Sequence, residues 1–353
     1  MIAHSKPSIT DDDAERVARV VRSGQLVQGP EVAALERELA ERLGVQDAAA
    51  VASGTAAVEL ALTALDVGAG HDVLIPSYVC DALYHAVRRV GATPVLVDAD
   101  PVTQSMSAKD ALARRTRRAR AIIVPHAFGL AADLEPFHAL DLPVIEDCAQ
   151  ALGAVLDDGR PAGGRGALAV CSFYATKMIA AGEGGAVAGP AALLARVREA
   201  REYDERPTLA PRTNAKLTDM AAALARGQLA RLDVFVARRR ALAARYRAGL
   251  AAVPVRLPLD AGRRHVYHRF VLGVDGDPAA LIAALGARGV VARRPVFRPA
   301  HRALALAGFP EADRLWAESL SIPCYPALTD DEADRVVCAV ATVLAASPRE
   351  RHR

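Results

Sequence analysis

Three short segments of the chain bring together residue types that could share one piece of chemistry. Ser53-Gly54-Thr55 follows the apolar run Ala48–Ala52 and opens a helical stretch over Ala56–Leu65. Small residues at such a junction let backbone approach an anion. The free N–H groups of the helix start, with the positive end of its dipole, would hold a phosphate. A plain helix N-cap by Ser53 or Thr55 explains the same residues. In the second segment, Glu146 and Asp147 follow the apolar run Pro143–Ile145, with Gln150 three residues beyond Asp147. A carboxylate partly buried at a strand end needs a cation or hydrogen-bond donors. A protonated aromatic nitrogen would serve, and capping of the next helix is the alternative. In the third, Ser172 comes near the end of the run Ala169–Phe173 and Lys177 lies five residues on. Gly182, Gly184 and Gly185 surround Glu183. A lysine in so tight a loop can be desolvated, which lowers its pKa and makes the amine nucleophilic. An arbitrary lysine would instead be a solvated surface residue, but this chain has only four lysines among 44 basic side chains.

Together the three segments make a set. A phosphate cradle, a carboxylate after a strand and a lysine about 30 residues later are what pyridoxal 5'-phosphate (PLP) requires. Its phosphate, ring nitrogen and aldehyde carbon each need their own protein group.

The elements that must position these groups alternate. Ala14–Arg22 and Val32–Leu43 have helical apolar spacing, and strands are predicted at Ala48–Ala52, Asp72–Ile75, Thr93–Val97, Ala121–Val124 and Pro143–Ile145. Ala169–Phe173, Ala186–Ala188 and Val266–Val274 read the same way. Short strands separated by helical patterns indicate βαβ units and a mainly parallel sheet covered on both faces. Ligands then lie beyond the carboxyl ends of the strands, where the three segments fall. A long periodic stretch, AAALARGQLARLDVFVARRRALAARYRAGLAAV, is expected to link a large domain (1–253) to a smaller C-terminal one (254–353). Thr329 with Glu332 three residues on marks the start of a last helix over 330–346.

Composition narrows the classes. With 52% hydrophobic and 24% charged residues the 353-residue chain is globular, and a net charge of +3 is too small to argue for nucleic acid. The basic run Arg114–Arg120 reads as a solvated helix end. The first ten residues lack a basic-then-apolar signal pattern and no apolar run reaches membrane-spanning length. A cytoplasmic protein without membrane partner is expected. Five cysteines without C-x-x-C spacing suggest reduced thiols, with neither a disulfide framework nor a metal site.

The segments SGQLVQGPEVAALERELAERLG, SGTAAVELAL, IPSYVCDALYHAVRRVGATPVLVDAD, VPHAFGLAADL, IEDCAQALGA, SFYATKMIAAGEGGAV, NAKLTDMAAALARGQLARLD and LSIPCYPALTDDEADRVV occur in this order over nearly the whole chain. The chain thereby resembles the DegT/DnrJ/EryC1/StrS aminotransferases, sugar aminotransferases of PLP fold type I. The resemblance implies an α/β fold with a mainly parallel seven-stranded sheet between helices and a smaller C-terminal α+β domain. It implies that Lys177 forms the Schiff base, that Asp147 meets the pyridine nitrogen and that Gln150 lies near the ring. Ser53, Gly54, Thr55 and Ser172 correspond to the phosphate cradle. Asn214 matches an asparagine that reaches the neighbouring subunit's cofactor, hence a homodimer with shared active sites. Family members usually stack an aromatic residue on the ring where this chain has Cys80, with Tyr78 as a candidate stand-in. His126, His301 and Glu183 are candidates for the substrate side. Histidine replaces the lysine in a related sugar dehydratase, so Lys177 argues against that chemistry.

The expected reaction moves an amino group from an amino-acid donor, glutamate, to a keto sugar, usually nucleotide-linked, or a keto-cyclitol, in amino-sugar or antibiotic biosynthesis. A PLP lyase or dehydratase on a related substrate, and a non-catalytic regulator binding PLP or a sugar, are the alternatives.

Overall fold

The structure is a computed structural model, and it describes residues 1–346. Its main sheet contains β1 (Asp47–Val51), β2 (Asp72–Pro76), β3 (Thr93–Val97), β4 (Ala119–Pro125), β5 (Val144–Asp147), β6 (Leu168–Ser172) and β7 (Gly185–Gly189), in the order β1-β7-β6-β5-β4-β2-β3. β7 runs antiparallel to both neighbours and the remaining pairs are parallel. The strands are short runs of Ala, Val and Ile buried on both faces, as a sheet sandwiched by helices demands. One apolar cluster lies on each face. Leu35, Leu39, Leu74 and Ile122 belong to the first, and Val58, Leu62, Ile75 and Ile123 to the second.

The helices over the first face carry clear sequence reasons for where they start. Thr10 and Asp13 form a capping box at the head of Asp11–Ser23, and Gly24 ends that helix at φ 74°. Pro30–Leu43 follows Gly29, which has no side chain to cap it. Its cap comes from across the fold. The buried carboxylate of Asp219 accepts from the backbone N–H of Gly29 (2.8 Å), Val32 (3.1 Å) and Glu31 (3.3 Å). Asp219→Ala is expected to cost about 3 kcal/mol, because several buried donors lose their acceptor at once. Urea unfolding checks it.

The long periodic stretch is not one helix. It divides into Asp219–Ala230 and Leu232–Gly249, with Arg231 between them at φ −102°, ψ 4°. The Arg231 side chain turns back to the Ser8 carbonyl and to Asp13 at the chain start. The expected strand over Val266–Val274 is also shorter, since only Phe270–Gly273 (β8) pairs, antiparallel with Ser319–Ile322 (β9). Residues just before β8 bond instead to the loop after β4: the Val266 N–H to Gly129 O (2.9 Å) and the Arg269 N–H to Phe128 O (3.2 Å). That seam ties the small sheet to the large one. β9 carried no periodic signal in the sequence, being four residues closed by Pro323, yet all four are buried.

A third apolar cluster surrounds β8 and β9 and includes Leu281, Leu285, Val336 and Val340. We propose a domain boundary at 253/254, with Ile2 from the chain start and Leu242, Ala243 and Tyr246 from the linking helix completing the smaller core. The helix Asp330–Ala346 begins with the expected reciprocal box, the Thr329 N–H to Glu332 (3.0 Å) and the Glu332 N–H to Thr329 (3.1 Å). Arg114 closes a short helix and pairs with Asp110 and Gly308 O, as a solvated helix end does. No helix among the described residues is long and apolar enough to cross a membrane.

Candidate active site

The carboxyl ends of β5 and β6 and the start of helix Gly54–Ala64 meet at one mouth of the sheet. Ser53 is the N-cap of that helix, its Oγ accepting from the Ala56 N–H at 3.1 Å. The plain capping reading is therefore correct for Ser53, and it leaves the amides at the tip of the helix free for an anion. Ser172 closes against the same tip. A Cβ on Gly54 would lie 2.8 Å from the Ser172 Cβ and 3.0 Å from its Oγ. β7 approaches as closely, since a Cβ on Gly185 would fall 2.7 Å from the Ser53 carbonyl. The wall of the site is built by backbone contact. Gly54→Ala is expected to cost about 1–3 kcal/mol by overpacking. In a Ser172→Gly background most of that loss should vanish, which thermal melting of the two variants and their double tests.

Strand alternation separates the adjacent acids of β5. Glu146 points into the core, where its carboxylate accepts from the backbone N–H of Gly163 (2.7 Å) and Arg165 (2.7 Å) and lies 3.0 Å from His126 Nε2. Burial would raise its pKa, but His126 and these amides outweigh it and hold the group below the usual carboxylate range. Asp147 points the other way and presents surface. Oδ1 accepts from the Ala149 N–H at 2.9 Å in a turn, its sole hydrogen bond among the described residues; no helix follows for it to cap. Burial raises its pKa, against the pull of that amide and of the Lys177 charge.

Lys177 sits in a loop folded tightly on itself. Its amide donates to Tyr174 O (2.8 Å), the Ala175 N–H to Gly182 O (3.0 Å), and the Phe173 N–H to Gly184 O (2.8 Å). Gly182 and Gly184 have φ of 82° and 148°, a region that disfavours a side chain. Met178, Ile179 and Ala180 anchor the loop in the core. Burial lowers the Lys177 pKa; Asp147 and Cys80 oppose the shift, and Arg269 adds to it. The amine forms no ion pair among the described residues. A desolvated amine without an ion pair among the described residues has the properties of a nucleophile and proton carrier.

Most of the expected site residues present surface of their own. Ser53, Gly54, Thr55, Asp147, Gln150, Ser172 and Lys177 all do, and Cys80 is exposed. Gln150 Oε1 accepts from the Phe128 N–H at 2.9 Å, which leaves its amide nitrogen free. Tyr78, His126 and His301 are buried instead. Tyr78 is not a stand-in for ring stacking: it is buried, its hydroxyl donates to Leu315 O (3.4 Å) and its ring meets the edge of Phe128. His126 is fully buried with both ring nitrogens used, by Glu146 and by the Ala132 N–H (2.9 Å). His301 is likewise enclosed between Ser77 (2.6 Å) and Asp313 (3.1 Å) and stacked on Phe309. Neither histidine has an atom left for a substrate. His126, Glu146 and Cys148 bring their donor atoms within 4.8 Å of one another, but the imidazole and carboxylate are already satisfied and burial keeps the thiol protonated. Glu183 and Asn214 are exposed and make no side-chain hydrogen bond among the described residues.

The structure adds residues that motif reading did not place at the site. Phe128 has φ 56° and supplies the amide that holds Gln150. Gly129 packs so tightly that a Cβ would be 2.8 Å from the His268 N. His268 is buried with Nδ1 lacking a partner among the described residues, and burial, then the Lys177 and Arg269 charges, push its pKa well down. An orphaned neutral imidazole nitrogen beside Lys177 is a free hydrogen-bonding atom. Positive φ at Phe128 has no sequence signal, although a glycine directly after it was a hint of a tight turn.

The profile of the DegT/DnrJ/EryC1/StrS aminotransferase family matches residues 7–341. The chain is 33% identical over 357 residues to the UDP-N-acetyl-3-dehydro-alpha-D-glucosamine 3-aminotransferase of Acidithiobacillus ferrooxidans, covering 97% of this chain and 96% of that protein. Among solved structures it is similar to S. venezuelae DesV in complex with a ketimine intermediate (TM-score 0.90, 34% identity, 96% of this chain and 95% of that one). The aminotransferase TlmJ from Streptoalloteichus hindustanus superposes with a TM-score of 0.93 at 31% identity, over 98% of this chain and 99% of its own.

Proposed function

Since the chain belongs to the DegT/DnrJ/EryC1/StrS aminotransferase family and has the type I fold of PLP-dependent transferases, we propose that it is a PLP enzyme that aminates a nucleotide-linked keto sugar. Glutamate is the proposed donor. The observation that carries the cofactor is the pairing of Asp147, raised in pKa and short of donors, with Lys177, lowered in pKa and unpaired, at one mouth of the sheet. The residues present fit PLP: the tip of helix Gly54–Ala64 and Ser172 suit its phosphate, Asp147 its ring nitrogen, Lys177 its aldehyde carbon, and His268 Nδ1 offers a further polar contact.

When bound, PLP supplies an aldehyde carbon that captures amines and a ring that draws electrons from the carbon next to the captured nitrogen. The chain does the rest. Ser53, Thr55 and Ser172 with the free amides of the helix start fix the anion. Asp147 regains a charge partner by keeping a proton on the ring nitrogen, which relieves the cost of its own burial. Lys177 Nζ, once freed by the donor amine, takes the proton from the donor's α-carbon and later returns one to the acceptor carbon. Summed over both halves, amino acid and ketone become oxo acid and amine. Phe128 and Gly129 hold Gln150 and His268 against one another, so the groups that orient the ring share one rigid seam.

Asn214, exposed and without a side-chain hydrogen bond among the described residues, is proposed to act in the partner's site of a homodimer. Cys80, where relatives carry an aromatic ring, leaves the ring face to other contacts.

The acceptor follows the relative that uses a 3-keto sugar. Protein loaded with PLP should lose its visible absorption on addition of glutamate. The uridine-diphosphate-linked 3-keto-N-acetylglucosamine should then restore it. Failure of glutamate to change the spectrum would sink the transaminase reading, and restoration only by other ketones would move the acceptor.

A further inference from the structure

A cation without a counter-ion stands at the seam between the two sheets. Arg269 immediately precedes β8, and its backbone N–H bonds to the carbonyl of Phe128, whose own N–H holds Gln150. The side chain is largely enclosed. Its Nε is buried without a partner and Nη1 lies 3.4 Å from His4 Nε2. His4 is bonded to Ser321 Oγ (2.9 Å) and Ser5 Oγ (3.1 Å), and burial, then the charges of Arg269 and Arg293, hold its pKa down at about 3. The imidazole is therefore neutral and compensates no charge. Arg293 joins the group through Ser321, the two exchanging backbone hydrogen bonds of 3.0 and 2.7 Å. Neither arginine forms an ion pair among the described residues, although most arginines around the fold do. Arg293 is exposed, so the cost falls on Arg269: enclosing a charge with nothing opposite it is unfavourable, and a second cation nearby adds to that. Such an arrangement persists where an anion is to be received.

We propose that Arg269, backed by Arg293, receives the α-carboxylate of the amino donor. This rests on the transaminase reading above and adds to it a binding residue that motif comparison did not single out. Distance decides between the two anions available. The α-carboxylate is one bond from the carbon whose proton Lys177 moves, whereas a nucleotide's diphosphate is held off from the reacting carbonyl by the sugar ring. Arg269 follows His268 and bonds through its backbone N–H to the carbonyl of Phe128, whose own N–H holds Gln150, so it stands on the seam that lines the site. A guanidinium also matches a carboxylate in two parallel hydrogen bonds.

The test uses the PLP-loaded protein and 2-methylglutamate, which has no α-hydrogen and so binds without transfer, followed by titration calorimetry and by the visible spectrum. Arg269→Gln should weaken binding roughly 10- to 100-fold, the scale of a lost charge-assisted contact, and Arg269→Lys should fall between. The α-amide of the same ligand should bind wild-type and Arg269→Gln alike. The pyridoxamine-phosphate form should keep its half-saturation for the keto sugar within about twofold. Equal weakening of acid and amide, or no weakening, overturns the assignment; so does a loss confined to the keto sugar, which would place a phosphate there. Should Arg269→Gln fail to fold or to hold PLP, Arg269→Lys carries the comparison, with selective weakening of the acid over the amide as the required result. Wild-type protein that ignores glutamate takes down the transaminase reading and this assignment together. A responsive wild type with unchanged variants takes down the assignment alone.

Discussion

Lys177→Ala is expected to slow transamination by roughly a thousandfold or more, the combined loss of a nucleophile and a positioned proton carrier. The structure argues for so large an effect in two ways. The loop around Lys177 spends two positive-φ glycines and a set of internal backbone bonds on holding one amine in place. No other lysine is held in that loop: Lys109 lies on the helix Ala108–Arg114, Lys216 pairs with Asp204, and Lys6, which lines one cavity with Lys177, belongs to the extended start of the chain. Single-turnover measurements separate the two roles. Lys177→Ala preloaded with pyridoxamine phosphate should bind the keto sugar with near-normal affinity and still fail to move the proton. An exogenous small amine should restore part of the rate. A variant that retains more than about a tenth of the wild-type rate would remove Lys177 from the chemistry.

Asp147→Asn is expected to lower the rate by roughly 10²- to 10³-fold, because an amide is the same size but cannot hold a proton on the ring nitrogen. The same change should make the cofactor-free protein more stable. Burial raises the Asp147 pKa above its ordinary value of 3.8. A group shifted upward binds its proton more tightly in the folded state, so ionising it destabilises the fold. The penalty is absent below pH 3.8, grows as the pH rises through the raised folded value, and stays constant above it. Urea midpoints of cofactor-free wild type and Asp147→Asn should therefore agree near pH 3.5 and separate by pH 7, the variant higher. Lower stability of the variant at neutral pH would mean that the carboxylate is satisfied by protein donors and needs no ring nitrogen. Activity and stability moving in opposite directions is the mark of a group strained for function.

Much of the site could be read in order along the chain. The anchors of β1, β5 and β6 carry continuous apolar runs, and the chemistry-bearing residues follow each run at its carboxyl end. The glycines around Glu183 announced a tight loop, and φ values of 82° and 148° explain why they are glycine. Choosing between Glu146 and Asp147 was a matter of strand alternation, since adjacent residues face opposite sides. The histidines were harder. His126 and His301 lie in motif segments, but whether an imidazole meets ligand or core depends on which partners the fold packs against it. His126 found Glu146, twenty residues later in the chain, and His301 found Ser77, 224 residues earlier.

By itself the sequence determined the doubly covered α/β sheet, the helix start that can cradle a phosphate, and Lys177, Asp147 and Ser172 as a set. Each follows from local patterns of period, spacing and glycine, which act within a few residues of chain. Only the tertiary structure decided that Asp219 caps a helix 190 residues away, that Tyr78 is core, and that Arg269 is enclosed against Phe128 with no ion pair among the described residues. Those facts arise where distant segments meet. Burial and charge compensation are properties of the packed whole, and a pattern along one strand or helix carries no record of what lies across from it.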